Sequence, residues 1–339
     1  MLDLIEQETT AINNAVKSGD EIYSAHGNPS DVSLYSKYAK VERVPLTAST
    51  PVRAYDDRME FDIMTDRPVD GYSALYNRAT DALLDVRPVS RHYALIPHDT
   101  LFAKQAALLT DSSLPTDNVS VVDRIYGNGK RVHRTVMFND LNTETRTRTG
   151  QIDLVKCRMD IFNSVDLSWA FQVFSGAYRD LCRNSLVFGG QKSYHQRKIH
   201  KGHIDVDAMM KKAEVGLDMW TNQRDQMEVW QNSHCSEFDL LRMLKKTICR
   251  KNTRAAKLDE NLAINERKLN WLLERFKEET PELGSTLWAA YNALTHYSTH
   301  LPNIQARNSN RELVATRRAD EVRTVIESDF WRGLERKVA

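Results

Sequence analysis

The sequence predicts an α+β protein: a β-hairpin-rich mixed sheet with packed helices, followed by an α-helical C-terminal region. Three observations predict it. In VSVVDRIYGNGKRVHRTVMF (119–138), two β-rich runs flank Gly127-Asn128-Gly129, and turn residues between extended segments mark a hairpin. QIDLVKCRMDIFNSV (151–165) alternates as a strand does, and AFQVFSGAYRDLCRNSLVF (170–188) adds one or two more strands. After Gly202 glycines become few and Leu, Ala, Glu, Lys and Arg dominate, as in helices.

Taken in order, residues 2–19 read as a helix, with Leu2, Ile5, Ile12 and Val16 roughly on one side and Gly19 as its stop. Residues 26–51, holding Pro29, Pro45 and Pro51, read as irregular connection, and 52–64 as extended chain. Pro88 closes a short helix at about 73–86, and HYALIP (92–97) is a strand leading into a helix over 99–109. Further helices fall near 205–233, 237–252, 258–278, 285–297 and 317–337, with Pro281 and Pro302 between them as breakers. These elements divide the chain into an N-terminal helix and linker (1–50), an α+β core (51–204) and an α-helical region (205–339). There is no internal repeat and no low-complexity segment.

At 339 residues, 41% apolar and net charge +1, the chain has the composition of a globular protein with a core of ordinary size. No window approaches the roughly 18 consecutive apolar residues of a membrane span. The first residues are acidic and amphipathic, without the basic start and apolar block of a secretory signal, so a cytoplasmic protein is expected. Cys157, Cys182, Cys235 and Cys249 have no C-x-x-C spacing, so they read as small core residues or free thiols rather than a disulfide framework or a zinc site.

Enzyme motifs are missing. GNGKR (127–131) lacks the leading glycine of a P-loop and the Ser or Thr after Lys130, and it sits inside a hairpin. No nucleophile elbow, zincin helix or dinucleotide fingerprint occurs. Asp205 and Asp207 before Lys211 and Lys212 loosely resemble a metal-dependent nuclease, but at a helix start acids simply complement the helix dipole. His195, His200 and His203 stand among Lys192, Arg197, Lys198 and Lys201, where a metal cation would be repelled. The reading is therefore a non-enzyme with no cofactor and no metal.

Charge placement is more telling than net charge. From Gly189 to His203 there is no acid, and Lys192, Arg197, Lys198 and Lys201 join Arg179 and Arg183, with Tyr194 among them. Cations neutralise phosphates and aromatic faces stack on bases, a combination suited to sequence-tolerant single-strand binding. A second acid-free run separates Asp239 from Asp259. At helical spacing Arg242, Lys246, Arg250, Arg254 and Lys257 form one stripe opposite Leu241, Leu244 and Ile248. A solvated helix ordinarily mixes charges to gain pairs one turn apart. Lys130, Arg131, His133 and Arg134 on the hairpin make a third basic patch, with acids following at Asp140 and Glu144.

Several blocks occur in a telling order: HYALIPHDTL (92–101), the hairpin, SWAFQVFSGAYRDLCRNSLVF (168–188), H-K-G-H, and LWAAYNALTHYSTH (287–300). Across roughly residues 50–300 this resembles the phage- and plasmid-borne family known as domain of unknown function 932. That family shows an aromatic-x-x-x-Pro strand, a YR-x-x-C-x-N block and a late W-x-x-YNA-x-T-x-Y helix. Tyr178, Arg179, Cys182 and Asn184 match the second of these, and Trp288, Tyr291, Asn292, Thr295 and Tyr297 the third. Ser185 departs from the family, where glycine or threonine often follows the asparagine. The late helix reads as core packing, whereas Arg179 and Asn184 need polar partners if their strand is buried.

The resemblance implies DNA metabolism, and a further likeness to the ATP-independent single-strand annealing proteins of bacteriophages. Together with the basic runs, it gives the expectation of a cytoplasmic DNA-binding protein that binds and anneals single-stranded DNA in phage or plasmid recombination. Such a protein would act as a homo-oligomeric ring or filament, with phage or host recombination proteins as partners and no membrane. The alternatives are a host-interaction protein that inhibits restriction or a nuclease, and a metal-dependent nuclease.

Overall fold

A computed structural model describes residues 21–27, 39–56, 59–112, 115, 117–179, 184–187, 195–218, 220–250, 263–300 and 308–336. Its strands are β1 (Glu21–Gly27), β2 (Val41–Asp56), β3 (Met59–Asn77), β4 (Ala82–Leu83), β5 (Val89–Ser90), β6 (Val119–Tyr126), β7 (Arg131–Arg146), β8 (Ile152–Ser164), β9 (Phe171–Arg179), β10 (Asn184–Val187) and β11 (His195–Lys198). Its helices are α1 (His98–Thr110), α2 (Val206–Asp218), α3 (Trp220–Asn232), α4 (Glu237–Lys246), α5 (Glu266–Leu283), α6 (Leu287–Thr299), α7 (Asn308–Ile326) and α8 (Asp329–Glu335). This is an α+β fold with its helices concentrated after residue 205. The expected helix over 2–19 lies outside the described residues.

The larger sheet has the order β1-β6-β7-β8-β9-β10, with β11 also on β9. All of its pairings are antiparallel. The expected hairpin is β6–β7, closed by a turn at 127–130 in which Gly127, Asn128 and Gly129 all have positive φ. Alternation decides what the sheet buries. On one face Val132, Val136 and Phe138 of β7, Val155, Cys157, Met159 and Ile161 of β8, and Val173 of β9 enter a single core with residues of α1, α2 and the C-terminal helices. The central helix is α6, whose residues Leu287 to Thr295 are all buried. A helix apolar on nearly every side finds cover on every side. Trp230 of α3 and Trp331 of α8 meet Tyr291, with ring centroids 4.6 Å and 6.4 Å away.

The smaller sheet holds β2 and β3 as a long antiparallel hairpin, with β4 and β5 on β3. Ala39, Val41, Leu75, Val89, Tyr93 and Val165 bury its base against the larger sheet.

Several boundaries differ from the sequence expectation, each for a tertiary reason. Within the supposed connection 26–51, β2 begins at Val41, and Pro45 is tolerated because among the described residues β2 pairs only with β3 and a bulge follows between Pro45 and Thr47. The helix expected at 73–86 is the end of β3 followed by a turn and β4, since Leu75 pairs with Arg43 and is buried in the smaller core. HYALIP is no strand; it makes an isolated bridge, Tyr93 to Lys201. The helix 205–233 is two helices, α2 and α3, on either side of residue 219, and the helix expected at 317–337 is divided between the end of α7 and α8. Pro281 sits inside the last turn of α5, where its missing N–H removes a single helical bond. Pro302 lies outside the described residues.

Candidate nucleic-acid interface

β11 is held by its ladder to β9, with His195 opposite Phe174 and Lys198 opposite Phe171. Arg197 and Lys198 are both exposed, as are Lys201 and His203 just beyond. Directly opposed residues of a ladder share a face and successive residues alternate. Arg197 therefore lies on the face of Gln172 and Lys198 on the opposite face, with Phe171. The run is a charged edge rather than a flat patch. The backbone beyond β11 is anchored on the stretch before α1: Gly202 N–H donates to the His92 carbonyl at 2.7 Å, and Ala94 N–H to the His200 carbonyl at 3.3 Å. His200 itself does not join the cationic surface. It stacks on Tyr93 with centroids 5.4 Å apart, its Nδ1 lies 2.7 Å from the Ala94 carbonyl, and burial lowers its pKa. Arg197, Lys198, Lys201 and His203 form no ion pair among the described residues. Arg183, Lys192 and Tyr194 lie outside the described residues.

Arg179, expected at this surface, is completely buried. Its Nε donates to Asp153, Nη1 donates to Asn292 Oδ1 at 2.9 Å, and Nη1 lies 3.6 Å from Glu279. Glu279 is also paired with Arg275, and Asn292 Nδ2 donates back to the Trp288 carbonyl at 2.8 Å. The arginine of the YR block is thus a tie between the sheet and helices α5 and α6. It meets the tryptophan and asparagine of the late helix block there, at 6.0 Å from the Trp288 ring.

The hairpin patch is likewise taken up by the fold. Arg131 pairs with Asp166 at 3.0 Å, and Lys130 is half-buried. Arg134 is fully buried in a fork on Asp123 at 2.7 and 2.8 Å, beneath Phe102 and beside Gln105. His133 stacks on Phe162 at 4.0 Å and approaches Asp160 at 2.8 Å, which also accepts from Thr135 at 2.9 Å and faces Arg158. Burial pushes the Asp160 carboxyl up, but Arg158, His133 and Thr135 more than reverse this and hold it below the ordinary range. These ionic clusters organise the two faces of the sheet. Asp205 and Asp207 act as expected at a helix start: Asp205 accepts from Ala208 N–H at 2.9 Å, and Asp207 pairs with Lys104.

The second basic run is shorter as a helix than expected. A capping box of Ser236 and Asp239 starts α4, which ends at Lys246, because Thr247 leaves helical geometry (φ −110°, ψ −102°). Its hydroxyl bonds to the Met243 carbonyl, and Cys249 turns into the core, where its carbonyl receives Asn265 N–H at 2.8 Å. Arg250 is exposed beyond this turn, bridged to Ile264, and Arg254 and Lys257 lie outside the described residues. What α4 does present is Arg242 and Lys246, both exposed, beside two phenylalanines that the charge pattern alone does not reveal. The Arg242 guanidinium lies 5.8 Å from the Phe238 ring and 5.5 Å from that of Phe330, and Lys246 Nζ lies 4.7 Å from Phe330. Phe238, four residues before Arg242, was the available signal.

Among the described residues no three His, Cys, Asp or Glu side chains converge as a metal site, and no helix is long and apolar enough to cross a membrane. Fold and surface define an α+β protein whose larger sheet shares one core with the helices, with a cationic edge strand and a cationic-aromatic helix end. The chain belongs to the family described as Domain of unknown function (DUF932), whose model matches residues 86–323. No curated protein and no solved structure matches it.

Proposed function

We propose that this protein binds nucleic acid, specifically single-stranded DNA, and that it anneals or shields strands without a nucleotide cofactor, acting as an oligomeric ring or filament in phage or plasmid recombination. The observation that carries the reading is the exposed row Arg197, Lys198, Lys201 and His203, tied by the β9 ladder and by backbone hydrogen bonds to the 92–94 stretch and lacking acidic partners among the described residues. Elsewhere the fold matches its interior arginines with carboxylates, as at Arg134 and Arg179. Exposed cations on a fixed scaffold suit a sequence-independent polyanion.

The test is a gel-shift series with labelled single-stranded and duplex DNA at rising salt. Binding is expected with a log–log salt slope steeper than about −2, as several phosphate contacts require. The quadruple variant Lys192→Ala, Arg197→Ala, Lys198→Ala, Lys201→Ala should bind at least tenfold more weakly with an unchanged melting curve. A wild-type protein that binds no DNA at low salt, or a quadruple variant that binds normally, overturns the reading.

A further inference from the structure

We infer that Phe238 and Phe330, with Arg242 set between them, form a stacking platform for unpaired bases, so that the α4–α8 surface selects single strands over duplex; the inference rests on the nucleic-acid reading above. A lone exposed ring is ordinary on a protein surface. Here two rings and two cations lie in one connected arrangement: exposed Phe238 and half-buried Phe330, which packs on the core, with Arg242 within 6 Å of both and Lys246 over Phe330. Phe238 is 64% exposed, the largest such value among the exposed large hydrophobic residues described. An open aromatic face flanked by guanidinium and ammonium groups offers a base a surface to stack on and its phosphates cations to meet.

The charge of the surface points the same way. Of the acids on α4 and α8, Asp239 closes its capping box with Ser236, Glu237 pairs with Lys277 at 3.2 Å, and Glu335 accepts from Trp230 and Gln226. Asp329 stands in the first turn of α8, where it complements the helix dipole. Around the two rings the cations Arg242 and Lys246 outnumber the exposed acid Asp329, which fits a polyanion bearing flat rings. A duplex keeps its bases stacked on each other and has none to give.

The experiment uses the full chain with three probes of equal length: oligo-dT, an abasic oligodeoxynucleotide and blunt duplex. Phe238→Ala is expected to weaken oligo-dT binding roughly tenfold or more, as loss of base stacking does, while binding of the abasic strand and of duplex stays at the wild-type level. Phe238→Trp should restore oligo-dT binding. Because Phe238 is exposed, both variants should melt as the wild type does, with the melt measured alongside. The platform is overturned if Phe238→Ala binds oligo-dT normally, or if it loses oligo-dT and abasic strand equally. It is also overturned if the substitution changes only the sedimentation of the protein, which would assign the surface to contacts between copies. If the wild type binds no probe, the nucleic-acid reading itself falls and takes the platform with it; normal wild-type binding with an indifferent Phe238 removes the platform alone.

Discussion

A guanidinium cannot be deprotonated to escape burial, so an arginine at 0% exposure must carry its partners with it. Arg179 has Asp153, Asn292 and Glu279. Replacing it by alanine takes the guanidinium from the buried Asp153 carboxylate and the donor from Asn292, while Glu279 keeps Arg275, and the stability lost should be about 3–5 kcal/mol, read as a shifted urea midpoint. Arg179→Lys should recover only part of this, because an ammonium lacks the planar fork that reaches Asp153 and Asn292 together. A loss below about 1 kcal/mol in the alanine variant would show that the tie is not structural.

His98 makes a second prediction at this scale. Burial lowers it to about 4. Asn163 Nδ2 donates to its Nδ1 at 3.0 Å, leaving Nε2–H for the Lys130 carbonyl at 3.4 Å, so the neutral ring is the bonded one. The folded pKa is below the ordinary value of 6.5, so the unfolded chain binds the extra proton between them. Stability from this group is full above about 6.5 and is lost as pH falls towards about 4, by up to about 3 kcal/mol. Urea midpoints should fall over that window, and His98→Gln should flatten the dependence. An equally steep pH dependence in the variant would assign the effect to other groups.

Among the elements, two glycines should respond with opposite sign. Gly150 turns β7 into β8 with φ +82° and open space where a Cβ would stand. Gly150→Ala should therefore cost about 1 kcal/mol through backbone strain alone. Gly333 lies inside α8 in ordinary helical geometry, also with open space, and Gly333→Ala should stabilise by up to about 1 kcal/mol. Thermal melts of the two variants should move in opposite directions. The edge strand β11 carries a further consequence. Lysine and arginine on an edge also discourage edge-to-edge pairing, so the variant with Arg197 and Lys198 changed to Ala should be checked by light scattering, with no aggregation expected while β9 still holds the strand.

At the scale of the whole molecule, the core joins Val119 of the sheet to Leu334 of the last helix without interruption. Sheet and helices should unfold together. Far-ultraviolet circular dichroism and the fluorescence of the buried Trp230, Trp288 and Trp331 are expected to give coincident transitions. A fragment of residues 205–339 should not fold alone, since α6 would lose its cover on β10 and Asn292 its arginine. Separate transitions, or a folded fragment, would make the two regions independent domains.

Local signals were enough for much of this. The β6–β7 hairpin is written in Gly127-Asn128-Gly129, β8 in its alternation, α1 and α6 in their apolar spacing, and the family in the order of its blocks. These features depend on neighbours a few residues away, which a sequence displays directly. Tertiary structure decided the rest. Whether residues 73–86 became helix or strand depended on pairing with Arg43, far off in the chain. Where α4 stopped depended on Cys249 finding the core. Which cations stayed outside could not be read from the acid-free runs, because the carboxylates that take Arg179, Arg134 and Arg131 come from other elements. A cation's sequence neighbours set the charge of a segment, but its burial and its partner across the fold set whether that charge faces a ligand.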